Sequence, residues 1–179
     1  ADQRNGPHDT DVWIIWSDDK GKTWSEPVRV NNDPPGKHQF FTWMTVDPVT
    51  GFVHIVFYDR RMSERTATHV YVATSTNGGL HFANRRVSES PFVPSPEGFF
   101  GDYNNISAYG GRVRPIWTRN EQGLQGIWTA LIDEQCGDVR RVLWRSRDQP
   151  QERRHGGEAH GPLSIHAHPG PHRTRWVVC

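Results

Sequence analysis

The chain has 179 residues, a formal net charge of +1 at pH 7, 17 glycines and 13 prolines. Nearly balanced charge gives no electrostatic reason to expect nucleic-acid binding, and no stretch of about 20 apolar residues is present to span a membrane. Glycine and proline divide the chain into short pieces without helical periodicity, which predicts an all-β fold. Neither a phosphate-binding loop nor a C-x-x-C motif occurs, and we expect no cofactor and no metal site. Calcium is the alternative, because D-T-D at 9–11 and D-D at 18–19 offer carboxylates, but turn bonding explains those oxygens better.

The first strong signal is the octet S-D-D-K-G-K-T-W at 17–24, which follows the strand-like segment V-W-I-I-W at 12–16. It fits the pattern S-x-D-x-G-x-T-W, in which side-chain oxygens bond to nearby backbone amides and glycine takes a positive φ. We therefore predict a tight hairpin, with the indole of Trp24 buried against the strand pair. The residues that define this first box are Ser17, Asp19, Gly21, Thr23 and Trp24.

A degenerate copy, S-T-N-G-G-L-H-F at 75–82, follows the similar strand V-Y-V-A-T at 70–74. Asn makes the same local bonds as Asp, and Phe supplies the aromatic side chain, whereas His81 replaces the Thr. A third similar strand, I-W-T-A-L-I at 127–132, has no such octet after it. The matching residues of this second box are Ser75, Asn77, Gly79 and Phe82.

The segments that precede these strands also repeat, since 44–60 aligns with 106–119. Short strands and turns at a fixed period indicate the blades of a β-propeller, and a β-sandwich with two coincidental hairpins explains less of the repetition. The aligned positions are Gly51 with Gly111, Val53 with Val113, Val56 with Ile116, and Phe57 with Trp117.

The repeat predicts one complete four-stranded blade at 40–90, two outer strands of a preceding blade at 11–32, and three strands of the next at 104–132. That makes about two blades, whereas about 4–8 close a propeller. We therefore expect the missing blades upstream in a longer chain. Assembly with other copies into a ring is the alternative.

Composition changes near Asp133, so we divide the chain into a partial propeller at 1–133 and a tail at 134–179 rich in Arg, His and Pro. We expect this tail to be disordered or non-native, for example from a shifted reading frame. The competing interpretation is metal binding through His166 and His168, but no carboxylate or cysteine lies at a useful spacing.

In an up-and-down blade, the loops between the second and third strands share one end of the ring with the loops between blades. Those loops include 37–41, 58–61, 99–105 and 118–120. We expect their polar side chains to converge on one rim, where propellers bind ligands. The predicted rim residues are His38, Gln39, Asp59, Arg60, Asp102, Tyr103, Asn104 and Arg119.

The run from Asp11 to about Asp133 resembles the C-terminal half of secreted bacterial BNR-repeat, sialidase-like proteins, in which the octet is called an Asp box. The motifs that carry the resemblance are S-D-D-K-G-K-T-W, V-F-Y-D-R-R, F-F-G-D-Y-N-N-I-S-A-Y and I-W-T-A. The resemblance implies a partial sialidase-like β-propeller, with about two blades of an expected six. It also implies an extracellular or cell-envelope location and a carbohydrate or glycoprotein ligand.

Sialidases bind the substrate carboxylate with cations and use an acid/base carboxylate together with a Tyr–Glu nucleophile pair. The resemblance implies a carboxylate clamp of Arg60, Arg61 and Arg119, an acid/base at Asp59 or Asp102, a nucleophile at Tyr103, and further ligand contacts from His38, Gln39 and Asn104. The F/Y-R-I-P segment with the first sialidase arginine is absent, and no Glu is evidently placed to activate Tyr103. Each residue also has a structural interpretation: Asp59 pairs with Arg60, Asp102 caps a strand, and Tyr103 packs between blades.

Three functional hypotheses follow. The first is a glycoside hydrolase related to exo-α-sialidases. The second is a non-catalytic propeller module that binds glycan or protein through exposed aromatic side chains on the same rim. The third is a structural module of a larger exported protein. The aromatic side chains of the second hypothesis are Phe40, Phe41, Phe99 and Phe100.

Overall fold

The computed structural model describes residues 1–63, 65–94, 100, 103–121, 123–134 and 138–140, and every helix or strand among them is a β-strand. The predicted all-β class is therefore confirmed. No membrane-spanning helix is found in this described part of the chain. The strands are β1 (Trp13–Ile14), β2 (Val28–Arg29), β3 (Gln39–Val46), β4 (Val53–Asp59), β5 (His69–Ser75), β6 (Ala83–Arg86), β7 (Asn105–Tyr109), β8 (Arg112–Glu121), β9 (Leu124–Thr129), β10 (Leu131–Asp133) and β11 (Asp138–Arg140).

The strands form three antiparallel sheets of consecutive elements. The first sheet is β1–β2, the middle sheet is β3–β4–β5–β6, and the third sheet is β7–β8–β10–β11 with β9 also paired to β8. β9 pairs with one half of β8 and β10 pairs with the other half, so β9 and β10 together act as one interrupted strand. The middle sheet covers the segment for which the sequence predicts four strands. β11 lies beyond the predicted boundary at 133, and residues 141–179 of the predicted tail lie outside the described residues.

The middle sheet is packed on both faces, and for that reason every residue of β4 is buried. One face, which carries Val53 and Phe57, packs against Val12 and Val30 of the segment around the first sheet. The other face packs against the third sheet. The core residues of this second layer include Val56, Tyr58, Val70, Val72, Ile106, Val113, Trp117 and Trp128.

The sequence repeat is also a repeat of packing positions. Val53 and Phe57 lie in the layer between the first and middle sheets, and their aligned partners Val113 and Trp117 lie in the layer between the middle and third sheets. Aligned residues thus face the preceding sheet in both cases.

The buried carboxylate of Asp47 connects the middle sheet to the third sheet at their β3–β4 and β7–β8 turns. Asp47 accepts hydrogen bonds from the backbone N–H groups of Val49 at 2.8 Å, Gly110 at 3.0 Å and Gly111 at 2.6 Å. Burial raises the pKa of Asp47, but these amides together with that of Thr50 outweigh it and hold the pKa at about 2. The β3–β4 and β7–β8 turns therefore lie at the same end of the molecule.

The first box is held by its own side chains. Ser17 Oγ accepts from the Gly21 N–H at 2.8 Å, and Asp19 accepts from the N–H and hydroxyl of Thr23 at 2.9 and 2.7 Å. Bonds from the Thr23 backbone, the Thr23 hydroxyl and Ser17 lower the pKa of Asp19 to about 2. Gly21 has a φ of 84°, which an L-residue rarely adopts.

The second box repeats this arrangement with different residues. Ser75 Oγ accepts from the Gly79 N–H at 2.9 Å, and Asn77 Oδ1 accepts from the His81 N–H at 3.0 Å. Asn thus replaces Asp because the main interaction needs only a side-chain oxygen. Phe82 is half-buried against the core of the first layer.

The expected burial of Trp24 is wrong, since 59% of this residue is exposed. Its ring does approach Gly21, where an added Cβ would lie 3.7 Å from the indole. The second box, by contrast, has the first sheet beside it. No sheet precedes the first sheet in the described part of the chain, and therefore nothing covers the outer side of Trp24.

Candidate functional site

The predicted rim lies at the opposite end of the sheets from the hairpin turns. Gln39 at the start of β3 pairs with Asp59 at the end of β4. The neighbouring loop places Arg60 and Arg61 beside them, and the backbone N–H of Arg60 donates to the carbonyl of His38 at 3.1 Å. His38 in turn contacts Thr10 Oγ1 through Nδ1 at 3.0 Å.

Asp59 is paired with Arg61 rather than with Arg60. Its two oxygens accept from the Arg61 backbone N–H at 2.7 Å and from Arg61 Nε at 2.8 Å. The Arg61 guanidinium stacks on the Tyr71 ring at 4.2 Å and also donates to Asn84 Oδ1 at 2.9 Å. Burial raises the pKa of Asp59, and Arg61 opposes that shift.

Gln39 connects this pair to the first sheet. Its Nε2 donates to Asp33 at 2.9 Å, and its Oε1 accepts from Asn31 Nδ2 at 2.8 Å. Asn31 reaches Asp11, which forms an ion pair with Arg29 at 2.5 Å. The result is a buried polar network that joins two sheets, and we call it the inter-sheet network. Its main members are Asp11, Arg29, Asn31, Asp33, Gln39, Asp59 and Arg61.

Sequence reasoning missed four members of this network: Asp11, Arg29, Asn31 and Asp33. The available signal was V-R-V-N-N-D at 28–33, a strand that ends in consecutive polar side chains. Within the described residues, no group of three or more His, Cys, Asp or Glu is placed to hold a metal ion. Arginines and amides contact the carboxylates instead, so Gln39, Asp59 and Arg61 are occupied with structural contacts.

Arg60 differs from Arg61 because it has no carboxylate partner among the described residues. Its guanidinium lies 4.9 Å from the Phe40 ring centroid, and its Nε contacts Thr68 Oγ1 at 3.3 Å. Burial lowers its pKa, and no neighbouring carboxylate opposes that effect. Arg60 is therefore a partly buried cation whose charge is balanced by no adjacent acid in this part of the chain.

Arg119 is held in a similar way. It is 5% exposed, lies 4.6 Å from the Trp128 ring centroid, and donates to Ser90 Oγ at 2.6 Å. Its contact with a carboxylate is loose, at 3.8 Å from Glu121 Oε1. Its Nε is buried and has no hydrogen-bond partner among the described residues. A buried donor without a partner is unusual in proteins.

An aromatic cluster connects the two arginines. Tyr58 is at its centre, with its hydroxyl donating to the Thr118 carbonyl at 2.5 Å, next to Arg119. Burial raises the pKa of Tyr58 well above its usual range. The rings that surround Tyr58 are Phe40, Phe41, Phe92 and Phe100. Phe100 is buried here, so its expected exposure is wrong, whereas Phe41 is exposed; Phe99 lies outside the described residues.

Phe41 and Tyr103 supply exposed rings at this end. Phe41 has a φ of 51° at an irregularity in the β3–β4 pairing, and Asn104 Nδ2 holds its carbonyl at 2.7 Å. Asn104 is buried, and its Oδ1 has no hydrogen-bond partner among the described residues. Tyr103 is 78% exposed, which contradicts the interpretation that it packs between sheets. The predicted catalytic Asp102 lies outside the described residues.

We call Phe41, Arg60, Tyr103, Asn104 and Arg119 the arginine–aromatic rim. Among the described residues, neither arginine has a carboxylate within 3.5 Å, the rings of Phe41 and Tyr103 are exposed, and the Asn104 amide oxygen has no hydrogen-bond partner. No protein-family model matches the chain, and comparison with curated proteins found no match either.

Proposed function

We propose that this chain is part of an Asp-box β-propeller of sialidase-like type, and that it binds anionic carbohydrate at the arginine–aromatic rim. Support for the propeller comes from three stacked sheets whose aligned residues occupy equivalent layers. Two boxes with matching side-chain-to-backbone bonds add to it. Secretion to the cell envelope or outside the cell is part of this proposal and is supported by the resemblance.

The binding proposal rests on one observation: Arg60 and Arg119 have no close carboxylate partner among the described residues. Both are desolvated beside aromatic rings, and neither has a carboxylate within 3.5 Å among the described residues. Guanidinium groups of this kind bind carboxylates strongly, because the ionic hydrogen bond forms away from bulk water. Exposed rings of Phe41 and Tyr103 offer apolar surface for a sugar face.

Hydrolysis is the second candidate, and the exposure of Tyr103 favours it. An exposed phenol is accessible to a sugar substrate, as a tyrosine nucleophile must be. Asp59 does not support this candidate as an acid/base, because the inter-sheet network already occupies both of its oxygens. Binding without turnover is therefore the function that the described residues support best.

The test compares a sialylated trisaccharide with the neutral disaccharide that lacks the acidic sugar, by calorimetric titration of the folded chain. Arg60→Gln and Arg119→Gln should each weaken binding of the acidic sugar by at least about tenfold, the loss expected for one charge-assisted contact. Arg65→Gln is the matched control, since Arg65 is exposed in the loop that follows Arg60. Equal affinity for both sugars, or no effect of either rim substitution, would contradict the proposal. Release of a chromogenic group from a sialoside by the wild type, lost in Tyr103→Phe, would select hydrolysis.

A further inference from the structure

The third sheet has an apolar outer face, on the side away from the middle sheet. Ile106 and Trp117 of this sheet pack towards the middle sheet. Because side chains alternate along paired strands, Tyr109, Ile116 and Ile127 point away from it. All three are exposed, and the exposed fraction of Ile127 is 51%. No further sheet lies on this outer face in the described part of the chain.

The middle sheet shows what covers such a face. The repeat aligns Ile116 with Val56, and the strand alignment pairs Ile127 with Val70. Val56 and Val70 are both fully buried, in the layer that the third sheet covers. The outer face of the third sheet therefore carries apolar side chains at the positions on which a following sheet packs.

The first sheet has an uncovered outer face of the opposite kind. Val12 and Ile14 pack towards the middle sheet, so Trp13 and Ile15 point away from it. The exposed fraction of Ile15 is 46%, and Trp24 is also exposed. Trp13 is partly shielded, because the Arg4 guanidinium lies 4.4 Å from its ring centroid. Ile15 and Trp24 are therefore the open apolar positions of this face.

These positions also have buried equivalents within the chain. Ile15 aligns with Ala130 of the third sheet, and Ala130 is buried in the layer against the middle sheet. Trp24 aligns with Phe82, which packs against the core between the first and middle sheets. The outer face of the first sheet therefore matches the faces with which the middle and third sheets pack on the sheet before them.

We infer that the two outer faces bind each other in neighbouring copies of this chain, with the first sheet of one copy on the third sheet of the next. A second copy is the occupant because it carries the complementary face. In this contact Ile15 packs near Ile127, as Ala130 and Val70 share one cluster inside the chain. Unlike surfaces meet, so repetition of the contact closes a ring or extends a filament.

The inference rests on the stacking of the sheets and on exposed apolar surface, which marks interaction sites. It does not use the arginine–aromatic rim, and none of the rim residues belongs to either outer face. Carbohydrate binding and association between copies can therefore fail separately, because a sugar titration measures the first and a measurement of molecular mass measures the second.

The test follows association of the folded chain by sedimentation velocity at concentrations up to about 0.5 mM. The wild type should form species larger than the monomer. Ile127→Lys and Ile15→Lys each place a charge in an apolar contact, so each should weaken association at least about tenfold. Val49→Lys is the matched control, because Val49 is an exposed apolar residue in the β3–β4 turn. This control should associate as the wild type does.

A mixture of the two variants tests the direction of the contact. Ile127→Lys leaves the outer face of the first sheet intact, and Ile15→Lys leaves that of the third sheet intact. An equimolar mixture should therefore form a one-to-one dimer that grows no further, because both remaining faces carry lysine. A contact between two like surfaces does not predict this restoration.

A second pair of variants, Ile116→Lys and Trp24→Lys, repeats the test at different positions, and thermal melts identify the variants that keep the fold. A wild type that stays monomeric over the whole concentration range overturns the inference. Folded single variants that associate as the wild type does overturn it as well, and so does a mixture of folded variants that remains monomeric.

Discussion

Val56 and Ile116 occupy aligned positions in two successive sheets, yet Val56 is fully buried whereas 43% of Ile116 is exposed. Val56 lies beneath the third sheet. Ile116 lies on the far face of the third sheet, beside the half-exposed Ile127. The third sheet thus presents apolar positions that the middle sheet keeps buried, as expected if another sheet of the same repeat packs there.

Substitutions at these two positions should therefore differ in cost. Val56→Ala should lower the free energy of unfolding by about 2–3 kcal/mol, because it leaves a cavity between two sheets. Ile116→Ala should cost about 0.5–1 kcal/mol in this chain, since much of the side chain is already in water. Urea denaturation of both variants measures the difference, and equal costs would contradict the stacking described here.

Asp47 should make stability depend on acid pH. Its folded-state pKa of about 2 lies below the reference value of 3.8, so it stabilises the fold above about pH 4. That contribution is lost as pH falls through the folded-state pKa. Asp47→Asn places an amide N–H against the Gly111 N–H, so the variant should melt at lower temperature and lose less stability between about pH 5 and pH 2. Parallel pH profiles of the two proteins would refute this assignment.

Asp19 offers a contrasting case in the first box. The second box has Asn77 at the same position and keeps the equivalent backbone bond. Asp19→Asn should therefore preserve the hairpin and change the melting temperature little at neutral pH, while Asp19→Ala should be more damaging because no oxygen remains for the Thr23 amide. Thermal melts of the two variants, recorded side by side, decide the point. A loss as large for Asn as for Ala would mean that the charge is essential.

Arg61 should be more important for stability than its position in a loop suggests. It is the cation closest to Asp59 and also lies 3.6 Å from Asp33, so Arg61→Met would leave buried carboxylates poorly compensated. Breaking a buried ion pair in this way costs about 3–5 kcal/mol. Arg65→Met, in the same loop but exposed, should change stability by about 0.5 kcal/mol or less. Chemical denaturation measures the free energy of unfolding of both variants. Similar small losses for Arg61→Met and Arg65→Met would contradict this prediction and would indicate that the inter-sheet network rearranges.

The parts of the fold that depend on local chemistry could be predicted from sequence. The boxes are an example, since Ser17, Asp19 and Gly21 bond within one turn and the pattern of residue types is enough to expect those bonds. The four strands at 40–90 could also be expected, because short strands and turns recur there with the period of the repeat. Alignment of Val53 with Val113 required no knowledge of tertiary contacts.

The remaining features depend on which sheets are neighbours. Trp24 is exposed because no sheet covers it in the described residues, and sequence alone does not contain that fact. Asp59 pairs with Arg61 because the backbone turns directly after β4, which charge alone could not distinguish from pairing with Arg60. Asn31 and Asp33 join the network only when the first sheet packs on the middle sheet.

The most direct test of the central claim is a titration with two forms of one ligand, a sialylated trisaccharide and its methyl ester, which differ only in the negative charge. If Arg60 and Arg119 recognise a carboxylate, the acid should bind at least about tenfold more tightly than the ester. That preference should be lost when both arginines are replaced by glutamine. Equal binding of acid and ester by the folded chain, or no binding of either, would contradict the assignment of the arginine–aromatic rim as a site for anionic carbohydrate.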